Sequence, residues 1–189
     1  MNPAETPVDR SDRSTPGLRE LLSLTPGRDQ DGLLVRLAPT VSDAELVDLL
    51  VRPIEPAGQF VELRVESLLI ARGPDDVDVI ESSMLARPLE RSTRRLAGIL
   101  DEIALRHPDQ NDRVADVLRR TVLEALDRDA DTWAVGELAG WWLDSIERGA
   151  DPAASVPVAE RILGLAAVEV KPYVLAVERA RRLRELGGP

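Results

Sequence analysis

The stretch DTWAVGELAGWWLDSIERG, from Asp131 to Gly149, contains all three tryptophans of a chain in which aromatic residues make up only 3%. Its apolar residues recur every three or four positions, which is the period of an α-helix with one face turned toward a core. Asp131 or Thr132 can cap the first turn, and Gly149 can end the helix in a left-handed conformation. The apolar face consists of Ala134, Val135, Leu138, Ala139, Trp142, Leu143 and Ile146. We therefore predict a central packing helix with Trp142 in the core.

The remaining core has to be aliphatic, because 43% of the residues are hydrophobic and few of those are aromatic. Such a composition favours helix-on-helix packing over a β-sandwich, in which aromatic and β-branched residues usually dominate. A chain of 189 residues can bury a substantial core within one domain of ordinary size. The predicted fold class is all-α.

The N-terminal part of the chain lacks this regularity. Residues 1–17 are rich in proline and polar side chains, which predicts a disordered, flexible tail. Residues 18–40 form an irregular lead-in, in which the polar stretch RDQDG at 28–32 is predicted as a loop. The run from Gly32 to Ala38 fits a short strand and a helical turn equally well.

Residues 41–189 are predicted to form a helical-repeat domain. At its start, Ser42 and Glu45 have the spacing of a capping box, in which each side chain bonds the backbone N–H of the other. The segment from Phe60 to Ile70 alternates in part like a strand. The element around it is about 15 residues long, however, which is long for a strand and favours a helix.

The predicted helices group in pairs, and antiparallel helix pairs at a period of 33 to 41 residues are typical of α-solenoids. The second members begin near Ala57, Glu90, Asp131 and Lys171. In VELRVESLLIARGP, from Val61 to Pro74, an arginine and a leucine-rich turn precede a glycine stop, and this segment resembles the second helix of a HEAT-like repeat. The resemblance implies stacked helix pairs and a protein-binding scaffold. A compact helical bundle with short loops fits the same pattern and is the alternative.

Several classes of chemistry find no support in the sequence. The chain has no cysteine, one histidine (His107) and no glycine-rich phosphate loop, so we predict no catalytic residue, metal site or cofactor. A net charge of −10 disfavours binding to nucleic acid and to anionic membranes. No apolar run approaches the roughly 20 residues of a membrane helix, and no signal-peptide pattern is present, so we expect a cytoplasmic protein.

Two groups of residues, an arginine cluster and two tryptophans, are candidate binding sites. Arg91, Arg94 and Arg95 lie in a basic cluster at a predicted helix start, where the helix dipole does not favour cations. Such a cluster can hold a phosphate or an acidic peptide.

Trp133 and Trp141 lie off the apolar stripe of their helix, near Gly136 and Gly140. An aromatic side chain beside small residues can form a shallow groove for another helix or an apolar ligand. The alternative, which we favour, is that a neighbouring repeat covers these residues. Leu123 points away from the core stripe of its own helix, so we expect it to be partly exposed on a partner-facing or repeat-facing side.

These observations favour a non-enzymatic protein–protein interaction module or scaffold built on paired helices. The alternative is a small-molecule-binding helical protein or enzyme, with a pocket between helices near Trp133 and Trp141. The oligomeric state stays open.

Overall fold

The computed structural model describes residues 17, 20, 28–51, 59–88, 90–128 and 130–188. Across these residues every regular element is a helix, so the all-α prediction is confirmed. The chain divides into two compact units, residues 1–65 and 66–189, and each is described by itself. The predicted tail lies outside the described residues except for Gly17.

The first unit contains helix α1 (Arg28–Leu37), helix α2 (Asp43–Val51) and the beginning of helix α3 (Gln59–Arg72). The loop predicted at residues 28–32 is wrong, because α1 begins at Arg28 and continues through Leu37. Leu33 and Leu34 are buried, and burial of apolar side chains outweighs the weak helix propensity of aspartate and glycine. The ambiguous run after Gly32 is therefore helical.

Two local predictions in this part of the chain are confirmed. The Ser42 backbone N–H donates to Glu45 Oε2 at 2.9 Å, and the Glu45 N–H donates to Ser42 Oγ at 3.3 Å, which is a capping box. The segment from Phe60 to Ile70 lies within α3 and is helical. That helix is followed by Gly73, whose φ of 76° only glycine adopts without strain.

Six further helices follow in the second unit, with short 3₁₀ turns at Gly73–Asp76 and Pro108–Gln110. They are α4 (Val77–Ala86), α5 (Arg91–Arg106), α6 (Asn111–Asp127), α7 (Thr132–Glu147), α8 (Ser155–Val168) and α9 (Val174–Leu186). All the extensive helix–helix contacts described within α4–α9 join helices that are one or two apart in sequence. This is the contact pattern of a stack, in which each unit touches only its neighbours.

Helices that are adjacent in sequence run antiparallel. The Asn111 side chain, at the start of α6, donates to the carbonyl of Ser145, near the end of α7, at 2.9 Å. Likewise, Ser155 Oγ, at the start of α8, donates to the carbonyl of Leu183, near the end of α9, at 2.7 Å. Each of these contacts joins the first turn of one helix to the last turns of the next.

Helices two apart run parallel. On α7 and α9, Gly136 lies against Ala176, and eleven residues further along α7 Glu147 pairs with Arg182 at 3.2 Å. The contacts thus advance along both helices in the same direction. Antiparallel neighbours and parallel next-neighbours are the arrangement of stacked antiparallel helix pairs, as predicted from the helix spacing.

Helix α7 is the central packing element, because it contacts α5, α6, α8 and α9. Asp131 caps its first turn by accepting from the Ala134 N–H at 2.8 Å, and Gly149 follows the helix with a φ of 108°. Trp142 is only 1% exposed. The predicted apolar face is buried except at Ala134, which is partly exposed.

Candidate functional site

Two of the predicted site residues are in direct contact. Cζ of Arg94, in the first turn of α5, lies 3.7 Å from the centroid of the Trp133 ring, in the first turn of α7. The two first turns meet because α5 and α7 are next-neighbours in the stack. A guanidinium over an indole is a cation–π contact, worth about 0.5–1 kcal/mol at an exposed site. Trp133 nevertheless remains 45% exposed, so much of its indole is available to a partner.

An open groove of about 440 Å³ lies on the Arg94 side of this stack, and we call it the arginine groove. Its lining residues are Glu66, Ile70, Arg94, Arg95, Gly98, Ile99, Glu102, Arg106 and Trp141. The Trp141 ring lies over Gly98, where an added Cβ would be 3.7 Å from the ring. Arg95 pairs with Glu66 at 2.7 Å, and Arg106 pairs with Glu102 at 2.9 Å. The groove therefore has an aromatic wall and a charged rim.

A second open groove, of about 430 Å³, lies on the Trp133 side, between the start of α7 and the loop that joins α8 to α9. We call it the loop groove; its lining residues are Asp131, Thr132, Trp133, Glu169, Lys171, Pro172, Tyr173 and Val174. Since Arg94 lines the first groove and Trp133 the second, their stack separates the two. We refer to the two grooves and the stack together as the Trp133 surface.

Residues of this loop, among them Lys171 and three exposed valines, are the ones that the sequence reasoning missed. Val168 is 80% exposed, Val170 is 96% exposed, and Val174, at the edge of the loop groove, is 66% exposed. A charged residue follows each of the first two in sequence, so the segment has the pattern of an ordinary surface loop. No periodicity in the sequence marks these residues, because only the return of the chain beside Trp133 brings their loop to the start of α7.

A hydrogen-bond network holds the loop against the start of α7. The Thr132 N–H donates to Glu169 Oε1 at 2.7 Å, and Thr132 Oγ1 donates to Glu169 Oε2 at 2.6 Å. The Tyr173 N–H in turn donates to Thr132 Oγ1 at 2.7 Å. Glu169 thus accepts a hydrogen bond from a free backbone N–H at the N-terminus of α7, although it lies outside that helix. Its negative charge is favoured at this position by the helix dipole. The floor of the loop groove is therefore preformed.

The face of α7 that carries Gly136 and Gly140 is covered by α9. An added Cβ on Gly136 would lie 2.6 Å from the Cβ of Ala176, and one on Gly140 would lie 2.6 Å from the guanidinium carbon of Arg179. The neighbouring helix therefore fills the shallow groove that these glycines suggested. The interpretation that we favoured, in which a neighbouring repeat covers Trp133 and Trp141, is wrong for Trp133, which is 45% exposed. Trp141 is partly exposed and lines the arginine groove.

The phenol of Tyr173 contributes to the same α7–α9 contact. It donates to Glu137 Oε1 at 3.0 Å, and Arg179 Nη1 lies 3.1 Å from the same oxygen. The hydrogen bond to Glu137 raises the pKa of Tyr173, because that bond favours the protonated phenol. At neutral pH the phenol therefore stays a donor that ties the loop to α7.

The other two predicted site residues lie outside the grooves. Arg91 is exposed one helical turn before Arg94 on α5, so it is close to the Trp133 surface. Leu123 is partly exposed on α6, as predicted, but lines neither groove. Its role in binding a partner stays a prediction.

Replacing Leu123 with aspartate is expected to change the unfolding free energy by less than about 1 kcal/mol, since a partly exposed site among charged side chains tolerates a new charge. The matched control is Val122→Asp at the neighbouring position, where the side chain is fully buried and a new carboxylate should prevent stable folding. Urea denaturation followed by circular dichroism measures both. Equal losses of unfolding free energy in the two variants would contradict the placement of Leu123 on the exposed side of α6.

Comparison of the chain with protein-family models, with curated proteins and with solved structures gave no significant match. Within the part of the chain that the structure describes, no helix has the length and apolar character needed to cross a membrane. The same residues contain no group of three or more acidic or histidine side chains placed to hold a metal ion.

Proposed function

We propose that this protein is a non-enzymatic scaffold that binds a protein partner through the Trp133 surface. The observation that carries the proposal is the half-exposed Trp133, stacked under Arg94 between two open grooves. Tryptophan and arginine are the residues most enriched among those that dominate binding energy at protein interfaces. Here the arginine is held on the ring in the free protein, so little side-chain entropy is lost on binding.

The stacked helices support the same function. A stack of antiparallel helix pairs presents long surfaces built from successive helices, and such surfaces commonly bind extended partners. We propose that the relationship to HEAT-like repeats suggested by the Val61 to Pro74 segment is one of architecture and of this binding role. The proposal also includes no binding to nucleic acid, on the basis of the acidic net charge, and it keeps the cytoplasmic setting expected from the sequence.

A small-molecule ligand in the arginine groove is the second candidate. It is favoured by the Trp141 wall beside Arg94 and Arg95, which could hold a flat anionic ligand. The openness of the groove favours the first candidate, because drug-sized ligands usually have most of their surface buried in a cleft.

The proposed function is tested by quantitative affinity capture from native extract with the wild-type protein and two variants. Trp133→Ala should lose the captured partner. Leu105→Ala should retain it, because Leu105 is similarly exposed, at 52%, but lies at the other end of α5 and lines neither groove. If both variants retain every captured protein, the Trp133 surface is not the binding site.

A further inference from the structure

We propose that the partner segment that binds the Trp133 surface is an acidic peptide whose carboxylates flank an apolar side chain. This inference rests on the proposed function and adds the chemistry of the partner. It follows from which charged groups at this surface already have partners and which do not.

The carboxylates that line the two grooves are all engaged. In the arginine groove, Glu66 pairs with Arg95 and Glu102 pairs with Arg106. In the loop groove, Asp131 accepts from the Ala134 N–H and Glu169 accepts from Thr132. None of these four groups is available to a basic partner without breaking a contact within the protein.

The charged groups that remain are cations. Within the described part of the chain, Arg91, Arg94 and Lys171 have no carboxylate partner, and the guanidinium of Arg94 lies over the Trp133 ring. Lys171 is exposed and lines the loop groove, whereas Arg94 lines the arginine groove. Unpaired positive charge thus lies on both sides of Trp133 in a protein whose net charge is −10.

The exposed apolar residues of the surface indicate that the peptide also carries an apolar side chain. The exposed indole of Trp133 lies between these cations, and Val170 and Val174 extend the apolar surface along the loop. A peptide that crosses the stack can place one apolar side chain on Trp133. Its flanking carboxylates can then reach the guanidinium of Arg94 on one side and the ammonium of Lys171 on the other. Charge-assisted hydrogen bonds of this kind contribute more than neutral ones.

The test uses a displayed library of random 12-residue peptides, selected against the full chain. The expected result is enrichment of sequences in which aspartate or glutamate flanks leucine, isoleucine or an aromatic residue. Affinities of the selected peptides are then measured by fluorescence anisotropy at two salt concentrations. Arg94→Gln should weaken binding by about 10- to 100-fold, as expected for loss of a charge-assisted hydrogen bond, and higher salt should weaken the wild-type affinity.

The matched control is Arg181→Gln, since Arg181 is an exposed arginine on α9 that lines neither groove and pairs with no carboxylate among the described residues. It should leave the affinity within about twofold, the scale expected of a distant, screened charge. A loss equal to that of Arg94→Gln would show attraction by net charge alone and would overturn the specific contact.

Three other outcomes are decisive, and the first separates this inference from the proposed function. Selected peptides without excess acidic residues that still depend on Trp133 would overturn the acidic partner and leave the docking surface intact. If no selected peptide depends on Trp133, both proposals fail. Retention on single-stranded DNA at physiological salt, lost in Arg94→Gln, would identify nucleic-acid phosphate as the anion and would also overturn the peptide proposal.

Discussion

Replacing Trp142 with alanine is expected to lower the free energy of unfolding by about 3–5 kcal/mol, as for other large aromatic side chains removed from a core. Trp142 is 1% exposed on the helix that contacts four others, so the cavity would lie where the most packing converges. Urea denaturation of the wild type and the variant measures the difference.

Trp133→Ala is the matched control for that experiment, because it removes the same side chain from the same helix. Its loss of unfolding free energy should be clearly smaller, since Trp133 is 45% exposed and its ring stacks on Arg94. If the two variants rank the other way in urea, α7 is rotated relative to the orientation described above.

Replacing Gly136 with alanine is expected to lower the free energy of unfolding by about 1–3 kcal/mol, the usual cost of overpacking a well-packed site. Two effects oppose each other here. Alanine favours the helix by about 1 kcal/mol relative to glycine, but its Cβ would lie 2.6 Å from the Cβ of Ala176 and 3.0 Å from the Cα of Ala176. The backbone of a packed helix cannot move aside as a flexible side chain can. We therefore expect the steric clash with Ala176 to outweigh the higher helix propensity of alanine.

Gly164→Ala is the control for the sign of this effect. Gly164 also lies within a helix, α8, but an added Cβ there would meet nothing within 4 Å. The same substitution should therefore stabilise the protein by about 0.5–1 kcal/mol. Thermal denaturation of both variants checks the pair, and stabilisation by Gly136→Ala would mean that α7 and α9 are less closely packed than the structure indicates.

Local sequence patterns identified residues of the candidate site but not the contact between them. The sequence singled out Arg94 for its place at a helix start and Trp133 for its place off the apolar stripe, as two separate observations. Their contact joins residues 39 positions apart and depends on how α5 and α7 pack, which neither pattern contains. Leu123 was also chosen because it points away from the apolar stripe of its own helix, but in the structure it lines neither groove.

The helices after residue 41 and the buried face of α7 could be predicted from the sequence, because helical hydrogen bonds and apolar periods are local and repeat every few residues. The loop predicted at residues 28–32 was wrong, because burial of Leu33 and Leu34 stabilises α1, which includes this polar stretch. Which helix faces stay exposed could not be predicted in this way and follows from the packing of the helices. Helix α9 covers Gly136 and Gly140, whereas the loop beside Trp133 leaves Val170 exposed, because the exposure of a residue depends on the segments that pack against it from elsewhere in the chain.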